Sequence, residues 1–357
     1  MSKLSYSEKS EYQHFISRKL LVILCLIIIL IATILISISI GSSGLTIGEL
    51  IQALIGKGNR QTHSIVWAVR MPRILTGVVV GIALALSGCI MQNVLRNPLA
   101  SSSTLGVTQG ASFGAAFAIV FLDAGVQINA STAAAVSISN PYLVTIFAFL
   151  GGILTTGVIL GLSRFTKVTP VALILAGVAL SSLFAGGTTL VQYFADDVKV
   201  ASVVYWTFGD LGRAGWNQIR VIFLISFIAF IYFFYNRWNY NAMEAGVETA
   251  KSLGIDVDCL ILISMVFCTL IAAISVAFVG SISFIGLVSP HIVRKFVGND
   301  HRFLIIASAI MGAIILVLAE LVSRTIASPS ILPIGALTSF LGAPLFLYLI
   351  YKREGFK

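Results

Sequence analysis

Long apolar runs separated by short polar stretches dominate the chain. A helix that crosses a bilayer needs about 20 consecutive apolar residues, and this criterion predicts ten membrane-spanning segments. Their bounds are 20–40, 74–92, 105–122, 143–162, 170–193, 219–236, 258–278, 282–297, 303–327 and 334–351. The eighth segment is short and contains Gly286 and Pro290. Omitting it would leave nine spans and place the two termini on opposite sides of the membrane.

The composition indicates the same class of protein. Of the 357 residues, 58% are hydrophobic and only 10% are charged, whereas soluble domains average about 45–50% and about 25%. So few charges cannot cover a water-facing surface, which excludes a soluble enzyme. Lipid tolerates only helices and closed barrels, and the apolar runs are longer and less interrupted than barrel strands. We therefore predict an all-α polytopic membrane protein with ten transmembrane helices.

The distribution of Lys and Arg predicts the orientation. Ten spans place both termini on one side, and 15 of the 23 basic residues fall on that side. Because basic residues accumulate in cytoplasmic loops, both termini are predicted to be cytoplasmic. The chain then divides into a cytoplasmic N-terminal segment (1–19), a membrane domain (20–351) and a cytoplasmic tail (352–357). The excess of basic residues in these predicted loops also accounts for the net charge of +9. The sequence has no basic segment interleaved with aromatic residues, so it does not indicate nucleic-acid binding.

Three arginines run against this charge bias. Arg70 and Arg73 flank Pro72 at the outer mouth of the second span, and Arg324 lies near the outer end of the ninth. They are either interfacial anchors or residues with a task at the outer surface. Glu320 precedes Arg324 by four residues, a spacing at which helical side chains can pair. Pairing is the favoured interpretation of Glu320, and a proton-coupling carboxylate is the alternative.

Glycines recur four residues apart in the second and third spans, as Gly77–Gly81, Gly106–Gly110 and Gly110–Gly114. This GxxxG spacing lets helix backbones approach closely. The spacing predicts a compact bundle.

Motifs for covalent chemistry are missing from the sequence. The Gly56-Lys57 pair lacks the upstream glycine and the Ser or Thr of an ATP-binding loop. The four histidines and four cysteines show no metal-ligand spacing. We predict no catalytic residue, no metal site and no cofactor, so by elimination the chain moves or anchors something.

The longest predicted cytoplasmic loop, 237–257, reads as a short amphipathic helix that ends at Leu253-Gly254. One stripe of this helix is predicted to contain Met243, Val247, Ala250 and Leu253. Such a helix either rests on the bilayer or docks to a cytoplasmic partner.

A series of longer motifs follows one another along the chain. They include Arg70-Met71-Pro72-Arg73, Asn97-Pro98-Leu99-Ala100, Phe284-Ile285-Gly286-Leu287-Val288, Asp300-His301-Arg302 and Leu332-Pro333-Ile334-Gly335. In this order they resemble the FecCD-like permeases, the membrane subunits of ABC importers for iron–siderophore complexes, haem and vitamin B12. The resemblance covers about residues 20–351.

The resemblance implies a set of partners. Two permeases, identical or related, would lie side by side in the bilayer with the path at their interface. Two ATPase subunits would bind from the cytoplasm, which accounts for the missing nucleotide loop and makes this chain a non-enzyme. A substrate-binding protein would dock outside. The first substrate class is a ferric siderophore or similar metal chelate, with vitamin B12 and haem as alternatives.

The resemblance also implies roles for particular residues. Arg70, Arg73 and Arg324 would bind acidic residues of the binding protein. The loop 237–257 would couple to the ATPase, although Val247 stands where an acidic residue is common. Its family-like positions are Glu244, Gly246, Glu248, Ala250, Leu253 and Gly254. Lys167, Val168 and Thr169 correspond to the inner gate.

Two other classes of function remain open at this point. An ion-coupled secondary transporter would need intramembrane carboxylates, and Glu320 is the only acid well inside a predicted span. A membrane scaffold that transports nothing would lack an ATPase partner.

Overall fold

The computed structural model describes residues 6–41, 46–127, 136–138, 140–165, 170–328 and 330–354. Its α-helices are α1 (Tyr6–Ser39), α2 (Ile47–Leu54), α3 (Arg60–Ser64), α4 (Met71–Val94), α5 (Val107–Phe121), α6 (Pro141–Phe165), α7 (Pro170–Tyr193), α8 (Asp197–Thr207), α9 (Trp216–Tyr235), α10 (Arg237–Ala245), α11 (Val247–Ser252), α12 (Val257–Val279), α13 (Ile285–Val297), α14 (His301–Thr325) and α15 (Ile334–Glu354). A π-helical turn (Ile65–Arg70) joins α3 to α4, and a 3-10 turn (Leu211–Arg213) follows α8. Two short antiparallel strands, β1 (Gly125–Gln127) and β2 (Val136–Ile138), pair Val126 with Ser137.

Each predicted span overlaps a helix, and helices make up most of the described chain, beside the short hairpin and irregular connections. Seven helical stretches in the described residues are long and apolar enough to cross a membrane: α1, the continuous stretch Arg60–Val94, α6, α7, α9, α12 and α14. The chain is therefore an all-helical polytopic membrane protein. With 15 and 13 residues, α5 and α13 are shorter than the predicted third and eighth spans.

The short helix α5 is preceded by an irregular stretch that is buried inside the bundle. Ala100, Ser101 and Leu105 in this stretch are almost completely buried. The Thr104 hydroxyl donates to the Leu99 carbonyl at 3.0 Å and accepts from the Ser101 N–H at 2.8 Å. Non-helical backbone survives at membrane depth only where protein satisfies its polar groups. The 15-residue helix α5 can therefore pack among longer helices, because the stretch before it is buried and hydrogen-bonded.

The bundle is built around α4, which packs against α12, α13 and α14. A Cβ on Gly81 would lie 2.4 Å from the Gly312 carbonyl oxygen of α14, and a Cβ on Gly114 would lie 2.0 Å from the Phe147 oxygen of α6. The close packing predicted from the GxxxG spacings is thus confirmed. In the Arg60–Val94 stretch, 83% of the most apolar window is buried, against 17% in α7. Helix α4 therefore lies at the centre of the subunit and α7 at its edge.

Several boundaries differ from the sequence prediction. Helix α1 begins at Tyr6 and not near residue 20, because no helix-breaking residue separates the polar N-terminal stretch from the apolar run. The helices α2 and α8 were not predicted, since both are too short to give a spanning pattern. The single helix predicted in 237–257 is two helices, α10 and α11, separated at Gly246, whose φ is 134°.

Candidate functional site

A charged cluster lies where the ends of α1, α4 and α14 meet. Glu320 of α14 is at its centre and is 1% exposed. Its Oε1 is 3.2 Å from Arg324 Nε and 3.5 Å from Arg73 Nε, and its Oε2 accepts a hydrogen bond from the Ser37 hydroxyl at 3.3 Å. The predicted Glu320–Arg324 pairing is therefore confirmed, and Arg73 joins the pair from α4.

The end of α1 supplies acceptors to Arg324 and to a third arginine, Arg70. Arg70 Nη1 donates to the Ile38 carbonyl at 2.5 Å. Arg324 Nη2 donates to the carbonyl of Ser37 and to its hydroxyl, the latter at 2.7 Å. The last carbonyls of a helix lack partners within the helix and carry partial negative charge. Two arginines therefore cap α1 while they hold the cluster together.

The cluster reaches toward the surface through Asp210. Arg73 Nη2 pairs with Asp210 Oδ1, and the Asp210 side chain is 42% exposed. Arg70, Arg73 and Arg324 carry three positive charges, and Glu320 and Asp210 carry two negative ones, so the five side chains sum to one positive charge. The arginines themselves are largely covered, with 5% of Arg70 and 13% and 12% of the Arg73 and Arg324 side chains exposed. The group is a mostly buried network with a small positive excess.

The unpredicted helix α8 is tied down beside this cluster. Arg213 donates to the carbonyls of Tyr205 at 2.5 Å and Trp206 at 3.2 Å, and so caps the end of α8. Burial lowers the pKa of Arg213. At the start of α8, Lys199 pairs with Asp123 at 2.6 Å and donates to the Val120 carbonyl at the end of α5. Only the basic character of Lys199 and Arg213 was available from sequence, since their acceptors are carbonyls of distant segments.

A second site lies at the opposite end of the bundle, on α10 and α11. The inner faces of these helices are anchored by Tyr240, Met243 and Ala250, which are fully buried. The Tyr240 hydroxyl is 2.8 Å from Ser264 of α12, and burial raises the pKa of Tyr240. The segment is therefore a docked part of the bundle and not a loose loop.

The residues predicted for ATPase coupling divide between the two faces of this segment. Glu244, Glu248, Leu253 and Gly254 are exposed, whereas Ala250 is buried. The predicted apolar stripe is wrong at its last member, because Leu253 lies after the end of α11 and is 67% exposed. Gly246 and Gly254 have φ values of 134° and 80°, a backbone region that favours glycine.

The predicted inner gate, Lys167, Val168 and Thr169, lies outside the described residues. Helix α7, which follows it, has an open face on which small and hydroxyl residues alternate with exposed apolar residues such as Leu175, Val178 and Leu183. Ser182, Gly186 and Thr189 on this face are exposed, and both hydroxyls bond only back to carbonyls of their own helix. Within the described residues, no group of three or more His, Cys, Asp or Glu is placed to hold a metal ion.

Comparisons with known proteins cover nearly the whole chain. The profile of the FecCD transport family matches residues 29–352. A chain of Methanocaldococcus jannaschii named as an ABC transporter permease protein is 47% identical over 96% of this chain and 97% of its own length. The Fe(3+)-citrate import system permease protein YfmD of Bacillus subtilis is 33% identical over 96% of this chain and 97% of its own. A solved metal-chelate type ABC transporter in an inward-facing conformation superposes with a TM-score of 0.78 at 30% identity, over 92% of this chain and 98% of that chain.

Proposed function

Because this chain belongs to the FecCD transport family of ABC transporter permease subunits, we propose that it forms, with a second permease, the path by which a ferric chelate crosses the cell membrane. The observation that carries the proposal is the likeness to a metal-chelate type transporter over 92% of the chain. The match to the FecCD family, over residues 29–352, includes both the charged cluster and the α10–α11 segment.

The proposed cargo is a ferric siderophore or a similar iron chelate. A relative named for ferric citrate supports this choice, while relatives of comparable identity named for hemin and for vitamin B12 keep those two as alternatives. The open face of α7 carries no charged residue, so it offers few groups that would hold a bulky polar cargo. Weak binding favours throughput, because a path that binds cargo tightly slows its release.

Uptake by reconstituted vesicles tests the proposed function. The permease, its ATPase subunits and the binding protein are incorporated with internal ATP, and radioactive ferric citrate, ferric hydroxamate, hemin and cyanocobalamin are offered in turn. We expect ATP-dependent accumulation of a ferric chelate. Accumulation without any ATPase subunit, driven by an ion gradient, would contradict the proposal and revive a secondary transporter.

The proposed topology has ten spans with both termini in the cytoplasm. Residues 1–19 and 352–357 would flank a membrane domain at 20–351. The support comes from helices that overlap the ten predicted segments, of which seven are long and apolar enough to span and α5 is a shorter apolar helix, among the described residues.

The open face of α7 supports a second permease as its neighbour. Small residues on a lipid-embedded helix allow close helix contact, and nothing in the described residues covers this face. The partner can be a second copy or a related chain, and the path would lie between the two α7 helices. The gate at 167–169 would precede α7 at its cytoplasmic end.

The ATPase subunits are proposed to bind α10 and α11. The exposed members Glu244, Glu248, Leu253 and Gly254 would contact them, while Gly246 and Ala250 would shape and seat the segment. Leu253 is a large apolar side chain that is 67% exposed, and in the proposed topology it faces the cytoplasm. An apolar anchor in a partner's groove is typical of a binding hot spot.

Replacing Leu253 with glutamate is expected to weaken ATPase association by about tenfold or more, since burial of a leucine side chain contributes about 1.5–3 kcal/mol. Co-purification and the ATPase concentration at half-maximal binding to permease in nanodiscs measure the effect. The matched control is Leu262→Glu on α12, which is 43% exposed within a membrane-spanning helix and should disturb insertion but not ATPase affinity of the inserted fraction. Unchanged affinity in Leu253→Glu would contradict the assignment.

The outer cluster is proposed to dock the binding protein through its net positive charge. Removing the arginines alone would leave Glu320 buried without a counter-charge, so the test variant is R70Q/R73Q/R324Q/E320Q. We expect a loss of affinity for the binding protein of about tenfold at low ionic strength, and a flatter salt dependence, because such charges act mainly on encounter and orientation. Surface plasmon resonance at several salt concentrations measures both.

The control for this docking test removes other basic residues predicted to lie on the outer side. Lys57, Arg60 and Arg220 are exposed and outside the cluster, and R60Q/R220Q lowers the net charge by two, as the cluster variant does. Equal losses of affinity in the two variants would show a general charge effect and contradict docking at the cluster.

A further inference from the structure

The side chain of Asn241 joins the α10–α11 segment to the start of α14, alongside Tyr240, whose ring faces His301, and Trp238, whose ring faces Arg302. Its Oδ1 accepts the backbone N–H of His301 at 2.8 Å and lies 3.1 Å from His301 Nδ1. Its Nδ2 donates to Asp300 Oδ1 at 3.0 Å. Both polar atoms of the Asn241 side chain are therefore used in holding another helix.

This contact completes the N-terminal cap of α14. The first N–H groups of a helix lack partners within the helix and are normally satisfied by a capping side chain nearby in sequence. Asp300 fills that role for the N–H of Arg302 at 3.1 Å, whereas the N–H of His301 is satisfied by Asn241 from α10. The first turn of α14 is thus held by its own cap residue, Asp300, and by Asn241 of the α10–α11 segment.

The junction is rigid and charged. Asp300 accepts hydrogen bonds from Arg302 Nε at 3.0 Å and Arg302 Nη2 at 2.7 Å, and it lies 3.7 Å from Lys19 of α1. Burial would raise the pKa of Asp300, but the hydrogen bonds from Arg302 and Asn241 outweigh it and lower this pKa to about 2. The carboxylate is therefore ionised throughout the physiological range.

A second tie lies one helical turn farther along α10. Glu244 accepts from Asn299 Nδ2 at 2.7 Å and from Asn93 Nδ2 of α4 at 3.3 Å. Residues three apart share one face of a helix, so Asn241 contacts the start of α14 while Glu244 contacts α4 and the residue that precedes the α14 cap. Two points of attachment resist both sliding and rotation of α10 against α4 and α14.

Helix α14 leads from this junction to the outer cluster. Its 25 residues extend for about 37 Å at 1.5 Å per residue, and its far end carries Glu320 and Arg324. Along the way Gly312 lies in backbone contact with Gly81 of α4. One continuous helix therefore connects the α10–α11 segment with the outer charged cluster.

We propose that Asn241 is a positioning residue that transmits displacement of the α10–α11 segment to α14, and thereby links the nucleotide state of the ATPase to the outer charged cluster. This inference rests on the proposed function, because it requires a nucleotide-hydrolysing partner on α10 and α11. Linkage is reciprocal for binding free energies, so occupancy of the cluster and of the ATPase site must affect each other to the same degree.

The test measures the motion of the α14 end beside the outer charged cluster, by spin-label spectroscopy of the permease–ATPase complex in nanodiscs. Ile326, at the end of α14, is 70% exposed and is replaced by cysteine for a spin label, with the exposed Cys25 and Cys259 changed to serine. We expect addition of ATP, magnesium and vanadate to change the label's spectrum in the parent complex. In Asn241→Asp, which faces the Asp300 carboxylate with a second carboxylate, that change should fall about fivefold or more, while ATP hydrolysis and assembly persist.

Two companion variants separate transmission from simple helix capping. In N241D/D300N the donor and acceptor are exchanged, and asparagine is itself a good N-cap, so the spectral change should return. Asn239→Asp is the matched control, since Asn239 lies on the same helix but donates to Asn236, at 2.9 Å, and its substitution should leave the change intact.

The outcomes distinguish the inference from the function on which it rests. A full spectral response in Asn241→Asp with normal hydrolysis would overturn the inference alone. Parallel losses of melting temperature and response in Asn241→Asp that N241D/D300N does not reverse would also overturn it, because the residue would then be only a cap. A parent complex that neither binds nor hydrolyses ATP would overturn the proposed function and the inference together.

Discussion

Replacing Gly88 with alanine is expected to destabilise the subunit by about 3 kcal/mol or more, at the upper end of overpacking effects. The new Cβ would lie 1.8 Å from the carbonyl oxygen of Gly286 and 2.3 Å from its carbonyl carbon. Both atoms are backbone, so no side-chain rotation can relieve the clash, and α4 and α13 must separate. Thermal unfolding of the detergent-solubilised protein and the yield of monodisperse material measure the loss.

Gly157 on α6 provides the matched control. A Cβ there meets nothing within 4 Å, and alanine is favoured over glycine in helices by about 1 kcal/mol. Gly157→Ala should therefore melt at the parental temperature or slightly above it. The reciprocal change, Gly286→Ala, would place a Cβ 2.6 Å from the Leu84 oxygen and should reproduce the Gly88→Ala defect. A stable, monodisperse Gly88→Ala protein would contradict the close approach of α4 and α13.

The Gly88–Gly286 contact illustrates what local sequence patterns can predict and what they cannot. The GxxxG spacing at Gly77–Gly81 predicted close packing but not its partner, Gly312, because partner choice depends on tertiary arrangement. Gly88 belongs to no such spacing, although its approach is the tighter one. Hydropathy located the seven long apolar helices of the described residues, because transfer into lipid follows composition. The break at Gly246 and the helix α8 depend instead on local backbone geometry and distant acceptors.

The candidate sites show the same division. Arg70, Arg73 and Arg324 were singled out from sequence because they oppose the charge bias of the loops, and Glu320 because an acid in a span calls for a partner. Asp210 and Ser37 were missed, since nothing local marks an exposed acid or a helical serine as a member of a charged cluster. Asn241 was missed for the same reason, because its partners begin a helix about 60 residues later.

Replacing Glu320 with leucine is expected to destabilise the fold by about 3 kcal/mol, since removing one member of a buried charge pair leaves the other uncompensated. Arg73 would keep Asp210, but Arg324 would retain only Ser37. The double variant E320L/R324L removes both charges, and replacement of a buried ion pair by apolar residues is often neutral. Melting temperatures of the parent, E320L and E320L/R324L measure the loss and the expected recovery.

The same double variant distinguishes two roles for Glu320, that of a counter-ion for Arg324 and that of a proton-coupling carboxylate. A counter-ion can be deleted together with its partner, so E320L/R324L should regain ATP-driven uptake of the ferric chelate along with its stability. A proton-coupling carboxylate could not be deleted in this way, because leucine carries no proton and the substitution at 324 supplies none. Recovery of melting temperature without recovery of uptake would therefore contradict the counter-ion role, provided that the binding protein still associates with the variant. Recovery of both would assign the buried carboxylate a structural role, and transport would then be driven by ATP hydrolysis in the proposed partner subunits.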